Sequence, residues 1–177
     1  MPVTQLRYGA TAKFFHWIIV ALIAVQLPLG WLMPDIRRGM EPGTAMSVHV
    51  SIGITILGLI VARFLWRLAH PVAPESGIPA WQRMSAELVH WLLYLAVLVT
   101  TLTGWFFESA RGWTIYLYGL IPLPRLVEAG PSIGQAIGRW HSTVVWVLVV
   151  LVSLHILAAF LHLFVYRDAV MARMLPG

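Results

Sequence analysis

Four long apolar stretches constrain this chain more than any other feature. A membrane helix needs about 20 mainly apolar residues at about 1.5 Å of rise each, and stretches of that kind lie near residues 12–33, 47–66, 86–107 and 139–166. Of the 177 residues, 59% are hydrophobic and 11% are charged, a balance that does not suit a water-soluble globule. The sequence therefore predicts an all-α integral membrane four-helix bundle in which residues 1–177 form a single domain.

The distribution of Lys and Arg predicts the orientation of this bundle. Basic residues are enriched in cytoplasmic loops. Of the 12 basic residues, five belong to the side of the 34–46 and 108–138 loops, and the rest belong to the side that holds both termini and the 67–85 loop. With four helices, this bias predicts that both termini are cytoplasmic. The formal charge of +5 would suit nucleic acid, but these residues are scattered at helix ends, so we expect lipid headgroups rather than nucleic acid as their partners.

The sequence contains no cysteine. Disulfides, iron–sulfur clusters and covalent attachment of c-type haem are therefore excluded. No nucleophile or paired-carboxylate arrangement suggests hydrolysis or group transfer, so no side chain is predicted to be catalytic in that sense.

Histidines are unusually dense in the apolar stretches. A strongly polar side chain in the hydrocarbon region usually faces the bundle interior and has a partner. A single histidine is readily explained by a hydrogen bond between helices, but six suggest a common cause. The six that lie inside or at the ends of the predicted helices are His16, His49, His90, His141, His155 and His162.

The spacing of two histidines on the fourth helix is the sharpest signal. His141 and His155 are 14 residues apart, which returns to within about 40° of the same helix face and separates them by about 21 Å. His16, near the start of the first helix, is expected in the same leaflet as His155. His49, near the start of the second helix, is expected at the depth of His141. We predict two haem irons, the inner one bound by His16 and His155 and the outer one by His49 and His141. Two axial imidazoles favour electron transfer over oxygen binding.

Small residues lie within about two turns of each of these four histidines, where they would let a flat macrocycle approach the helix. Small residues also occur wherever membrane helices pack closely, which is the alternative interpretation. The residues concerned are Gly53, Gly134, Gly138, Ala12, Ala158 and Ala159.

His90 and His162 have several interpretations. His90 is a rival inner ligand, a quinone or propionate contact, or a partner in an interhelical hydrogen bond. His162 lies seven residues beyond His155, closer to the cytoplasm, and a surface role near the inner haem suits it better. Clustered histidines also suggest zinc or another divalent metal, as in a metal or solute transporter, although carboxylates and thiolates at close spacing are missing.

At these residues the chain resembles the bacterial cytochrome b561 family of small di-haem membrane cytochromes, over nearly its whole length. The resemblance implies a multi-pass protein of the bacterial inner membrane with two non-covalent b-type haems. The matching elements, in order, are Phe15-His16-Trp17, His49-Val50-Ser51-x-Gly53, Arg63-x-x-x-Arg67, His90, Trp113-x-x-Tyr116-x-x-Gly119-Leu120, Trp140-His141, His155 and His162.

The best-understood type in that family resembles a superoxide oxidase, in which superoxide donates an electron at the outer side and ubiquinone in the membrane accepts it. The resemblance therefore implies lipid, quinone and superoxide as partners, and His90, His162 and Arg67 become candidate quinone or propionate contacts. A positive outer surface would attract superoxide, although the same side chains also suit lipid headgroups or haem propionates. Its members are Arg37, Arg38, Arg111, Arg125 and Arg139.

The nearest alternative is a membrane cytochrome b subunit. Related four-helix cytochromes pass electrons from a periplasmic dehydrogenase or hydrogenase to quinone, in which case the donor is a redox protein. The sequence leaves the donor, the direction of transfer and the oligomeric state open.

Overall fold

The computed structural model describes residues 8–34, 41–73 and 77–175. Within these ranges, four helices are long and apolar enough to cross a bilayer. They are α1 (Ala10–Leu32), α2 (Thr44–Ala69), α3 (Ala80–Ala110) and α4 (Pro131–Phe160), the last of which continues as a π-helical turn over Leu161–Tyr166. The predicted four-helix membrane bundle is confirmed.

A glycine or a proline precedes each of the four helices, and a proline closely follows α1 and α2. Met33 and His70 leave the helical conformation, with ψ angles of 139° and 72°, because the residue before a proline is driven away from helical geometry. The following prolines, Pro34 and Pro71, therefore determine where α1 and α2 end.

The third and fourth helices begin six and eight residues earlier than the sequence analysis predicts, at Ala80 and Pro131. Pro79 caps α3, and Pro131 occupies the first turn of α4, where its missing N–H costs no hydrogen bond. The sequence places residues 131–138 in the loop before the fourth apolar stretch. They are helical because the glycines allow α4 to pack closely on the end of α3, so the connection is shortened to residues 111–130.

This connection contains a short β-hairpin. Strand β1 (Tyr116–Leu117) pairs antiparallel with β2 (Ile121–Pro122). Tyr118 and Gly119 have φ angles of 50° and 75°, the left-handed conformation that a tight hairpin turn requires. Tyr118 then joins the hairpin to α2 because its N–H donates to Ser51 Oγ at 2.9 Å and its hydroxyl lies 2.8 Å from Thr55 Oγ1.

Packing within the bundle is uneven around α4. The helices α1, α2, α3 and α4 pack in sequence order around a core that includes Ile19, Ile56, Val97 and Leu148. In the described ranges, no Cα atom of α1 or α2 lies within 8 Å of one of α4. Large side chains cross this gap, as where Trp31 stacks on Trp146 with ring centroids 5.8 Å apart. The face of α4 toward α1 and α2 is therefore separated from them by side chains rather than closed by backbone contact.

The bundle has two distinct ends. At the terminal end, where α1 begins and α4 ends, residues 167–175 fold back over the helices: the Trp17 indole donates to Met174 O at 2.9 Å and Arg173 donates to Ala73 O. The hairpin end is the opposite one, where α3 ends and the β-hairpin lies.

Candidate functional site

Two predicted ligands meet in one cavity toward the hairpin end. His49 on α2 and His141 on α4 both line a cavity of about 300 Å³ to which all four helices contribute. The Nδ1 atom of His141 lies 3.1 Å from the carbonyl oxygen of Thr100. If Nδ1–H donates to that carbonyl, Nε2 keeps a free lone pair, as in metal-binding imidazoles.

Glycines on neighbouring helices provide space for both imidazoles. A Cβ atom at Gly30 on α1 would lie 3.1 Å from Cε1 of His49, and one at Gly104 on α3 would lie 3.2 Å from Cε1 of His141. Sequence analysis did not single out these glycines. The available signal was that each interrupts an apolar helix at the depth of a predicted ligand.

The hairpin-end cavity also contains unsatisfied polar atoms. Within the described residues, Gln26 Oε1, His49 Nδ1, Thr100 Oγ1 and Glu108 Oε2 are buried without a hydrogen-bond partner, and all four side chains line this cavity. Buried polar groups are usually hydrogen-bonded, and ligand sites are apolar cavities with a few such groups. This combination is typical of a ligand-binding cavity.

Three histidines meet toward the terminal end. The ring centroid of His155 lies 6.3 Å from that of His16 and 5.4 Å from that of His90. The structure thus brings the predicted inner pair together and places His90 at a similar distance, so proximity alone does not separate the two candidate partners of His155.

Basic and aromatic side chains accompany this histidine cluster. The Arg63 Nε–H donates to the Tyr94 hydroxyl at 3.0 Å. The Arg67 guanidinium lies 5.7 Å from the Trp91 ring centroid and 5.9 Å from that of Tyr94. The terminal end therefore combines imidazoles with cations and a phenol, the groups that hydrogen-bond a polar headgroup or a quinone oxygen.

The two glycines that precede His141 serve helix packing. A Cβ atom at Gly138 would lie 2.7 Å from the Phe107 ring, and one at Gly134 would lie 3.8 Å from the Cβ of Ala110. Both contacts are with α3, which favours the packing alternative for these two residues.

The remaining candidate residues are more dispersed. His162 is paired with Asp168, with Nδ1 and Oδ2 at 2.6 Å. Arg111 is half-buried, with its guanidinium 4.3 Å from the Phe107 ring centroid, whereas Arg125 and Arg139 are exposed. Arg37 and Arg38 lie outside the described residues.

Comparison with known proteins agrees with these features. Residues 7–177 match the sequence model of the family described as prokaryotic cytochrome b561. Cytochrome b561 homolog 2 of Escherichia coli (strain K12) is 30% identical over 177 residues, covering 97% of this chain and 93% of its own. The probable superoxide oxidase CybB of Yersinia pestis is 27% identical over 175 residues, 96% of each chain. Cytochrome b562 of Cereibacter sphaeroides is 26% identical over 167 residues, 90% of this chain and 89% of its own.

Proposed function

This chain belongs to the prokaryotic cytochrome b561 family, and from that premise we propose that it is a di-haem cytochrome that oxidises superoxide at the hairpin end and reduces ubiquinone in the membrane. Membership makes it a multi-pass electron-transfer protein of the bacterial inner membrane that binds b-type haem. One observation carries the di-haem proposal: α4 supplies one histidine to each of two histidine sites at opposite ends of the bundle. We place the hairpin end in the periplasm and both termini in the cytoplasm.

In the hairpin-end cavity, His49 and His141 would hold one of the two proposed haems. The two histidines lie on α2 and α4, whose Cα atoms stay more than 8 Å apart in the described ranges, so no close backbone contact closes the space between them. The hydrogen bond at His141 Nδ1 leaves the other ring nitrogen for iron. The haem supplies one-electron chemistry, while the protein orients its ligands and sets its electrostatic surroundings.

At the terminal end, we assign His16 rather than His90 as the partner of His155. The ring centroids of His16 and His155 lie 6.3 Å apart, about the separation that two imidazoles would need if both bound one metal ion at about 2 Å. His90 lies on α3, which packs directly against α4. That close packing leaves less room for a macrocycle than the gap between α1 and α4.

The reaction is balanced by two superoxide anions for each quinone. Each superoxide loses one electron and leaves as dioxygen, and two electrons with two protons convert ubiquinone to ubiquinol. Arg111, Arg125 and Arg139 are the proposed cationic contacts at the hairpin end, since positive charge there would raise the encounter rate of an anion. At the terminal end, His90 and Arg67 are the proposed quinone contacts. His162 is already paired with Asp168 and becomes the weaker candidate.

The name of the Yersinia pestis relative supports superoxide as the donor. The other relatives are named only as cytochromes, which equally suits a subunit that relays electrons from a periplasmic dehydrogenase or hydrogenase. For a metal transporter there is no comparable support, because the described ranges contain no group of three or more His, Cys, Asp or Glu side chains arranged to hold a metal ion.

Alanine variants of the histidines test the haem assignment. The His49→Ala and His141→Ala proteins should lose the same haem, and the His16→Ala and His155→Ala proteins should lose the other. The measurement is the haem-to-protein ratio with the reduced-minus-oxidised spectrum. His70→Ala is the matched control, because His70 is exposed and lies outside the helices, and it should keep both haems. Loss of a haem in His90→Ala but not in His16→Ala would contradict the terminal-end pairing.

Electron transfer from superoxide is tested with the purified, haem-loaded chain. We expect enzymatically generated superoxide to reduce a soluble ubiquinone analogue, with ubiquinol formation measured by its absorbance. Superoxide dismutase should abolish the signal, and His16→Ala should decrease it strongly. Haem-loaded protein that forms no ubiquinol would contradict superoxide as donor, and reduction restored by a periplasmic redox protein would favour the relay subunit.

A further inference from the structure

Glu108 is a buried acid that the proposed electron pathway does not use. Glu108 is only 3% exposed, and its side chain lines the hairpin-end cavity together with His49 and His141. Its Oε2 atom has no hydrogen-bond partner in the described part of the chain. An unpaired carboxylate in an apolar site is costly, and an ionisable group at membrane depth usually has a function.

The charged surroundings of Glu108 are sparse. Arg111 is its cationic neighbour, but the Arg111 guanidinium lies over the rings of Phe107 and Trp113, at 4.3 and 4.9 Å from their centroids. Within the described ranges, the ion pair that forms joins His162 to Asp168 at the terminal end. Arg111 and Glu108 do not form one, so Arg111 acts on Glu108 from beyond ion-pair distance.

The other helices bring few titratable groups to Glu108. Among the cavity-lining residues, α2 contributes His49, α4 contributes His141, and α1 contributes the neutral Gln26. On the 111–130 connection, Arg125 and Glu128 are exposed. The charge in the cavity is therefore set by Glu108, by Arg111 from beyond ion-pair distance and by whatever the two histidines bind.

We propose that Glu108 is the proton-binding group of the hairpin-end haem, so that its carboxylate takes up one proton when that haem gains one electron and releases the proton on reoxidation. This inference rests on the proposed haem between His49 and His141. The centre of an oxidised haem with two neutral axial imidazoles carries one net positive charge, and that of the reduced haem carries none. A carboxylate in the same low-dielectric cavity is stabilised by the first state and not by the second.

The atoms and charges of this step balance. The electron comes from the donor, superoxide in the proposed reaction, and the proton comes from water at the hairpin end. The carboxylate of Glu108 becomes a neutral carboxylic acid, so the net charge of the cavity is unchanged. Glu108 lies two residues before the end of α3 at Ala110, so the path to the aqueous phase is short.

Redox titration of the haem at several pH values tests the inference. The His16→Ala background isolates the hairpin-end haem, whose midpoint potential is then measured from its α band between about pH 6 and about pH 9. With Glu108 present, the midpoint potential should fall as the pH rises. The limit is about 59 mV per pH unit, the shift expected when one proton is taken up with one electron, because one pH unit is a tenfold change in proton concentration. With Glu108→Gln added, the potential should be independent of pH.

Glu128→Gln is the matched control, because Glu128 is an exposed glutamate on the adjoining connection. In the His16→Ala background, the Glu128→Gln variant should show the same pH dependence of the midpoint potential as the protein in which both glutamates are intact. An equal slope in the Glu108→Gln variant would overturn the role of Glu108, as would a flat profile in the unsubstituted background. A hairpin-end haem that persists in His49→Ala and His141→Ala would instead contradict the proposed function itself.

A measurement on the wild type keeps the inference testable if Glu108→Gln loses its haem. A reduced-minus-oxidised infrared spectrum should contain the C=O stretch of a carboxylic acid formed on reduction, and this band should shift in heavy water. In Glu108→Asp, which retains a carboxyl group, the band should move. A wild-type spectrum without any such band would overturn the proposal.

Discussion

Single residues on neighbouring helices determine whether each proposed ligand can occupy its position. His141 illustrates this, because Thr100 accepts its Nδ1 hydrogen bond and Gly104 leaves the space that its ring fills. His49 depends in the same way on Gly30. The imidazole positions therefore depend on all four helices, although the histidines themselves lie on two.

Replacing Gly104 by valine should remove the hairpin-end haem. Even a Cβ atom there would lie 3.2 Å from Cε1 of His141, and the branched side chain would displace the imidazole. We expect the haem-to-protein ratio to fall by about half, with the loss of the same spectral component as in His141→Ala. Gly58→Val is the control, because a Cβ atom at Gly58 meets nothing within 4 Å. Full haem content in Gly104→Val would contradict this view of the site.

The histidines could be found from the sequence, whereas their surroundings could not. Histidine is conspicuous in an apolar helix. The 14-residue interval between His141 and His155 gives their relative depth and shows that they share a helix face, without any information about the other helices. The functions of Gly30, Gly104 and Glu108 depend on side chains from other helices. The burial of Glu108 follows from the cavity formed by all four helices, which no local sequence pattern reveals.

At the scale of helices and strands, α3 and α4 form the tightest interface in the cavity wall. Gly138 is packed against the Phe107 ring, a contact between helices that the length of an apolar stretch does not reveal, so the predicted start of the fourth helix came too late. Glycine is unfavourable in an isolated helix, but it is useful where two helices cross closely because it lets their backbones approach.

Gly138→Ala should destabilise the bundle. The new methyl group would lie 2.7 Å from the Phe107 ring, and overpacking of this kind typically costs about 1–3 kcal/mol. The free energy of unfolding in mixed micelles measures the effect, with Gly58→Ala as control. Adding Phe107→Ala should reduce the penalty of Gly138→Ala, because the ring that causes the clash is gone. A penalty that is additive in the double variant would contradict the contact.

The hairpin is held to α2 by a pair of hydrogen bonds. Tyr118→Phe removes the one between its hydroxyl and Thr55 Oγ1, at 2.8 Å, and should lower the free energy of unfolding by about 0.5–1.5 kcal/mol. Thr55→Val removes this bond and also the one that Thr55 Oγ1 donates to Ser51 O at 2.9 Å, so its effect should be at least as large. The double variant should cost less than the sum of the two, because both single changes remove the same bond. Simple additivity would show that the two hydroxyls act independently.

At the scale of the whole molecule, the fold could be predicted from length and hydropathy because the bilayer fixes how long an apolar helix must be. The separation of α4 from α1 and α2 could not be predicted, since it depends on which side chains cross the gap. The predicted pairs, His16 with His155 and His49 with His141, each span this gap, and they were reached by matching depth along the membrane normal. The assignments to haem remain predictions.

Cysteine labelling tests the proposed orientation. Because the sequence has no cysteine, each introduced thiol is the sole target of a membrane-impermeant maleimide. We expect Glu128→Cys, on the connection at the hairpin end, to be labelled in intact spheroplasts. Gly77→Cys, between α2 and α3, should be labelled only after permeabilisation. The reverse pattern would place the hairpin end in the cytoplasm and would contradict superoxide oxidation at the periplasmic surface.

The presence of His141 and His155 on one uninterrupted helix also determines how the two proposed redox centres respond to the membrane. Electron tunnelling falls steeply with distance, and here the axial separation between centres is set by covalent geometry, about 1.5 Å for each of the intervening residues. Changes in bilayer thickness that tilt or shift α4 carry both centres together. The rate of transfer between them should then vary little among membranes of different thickness, even where the depth of each centre changes.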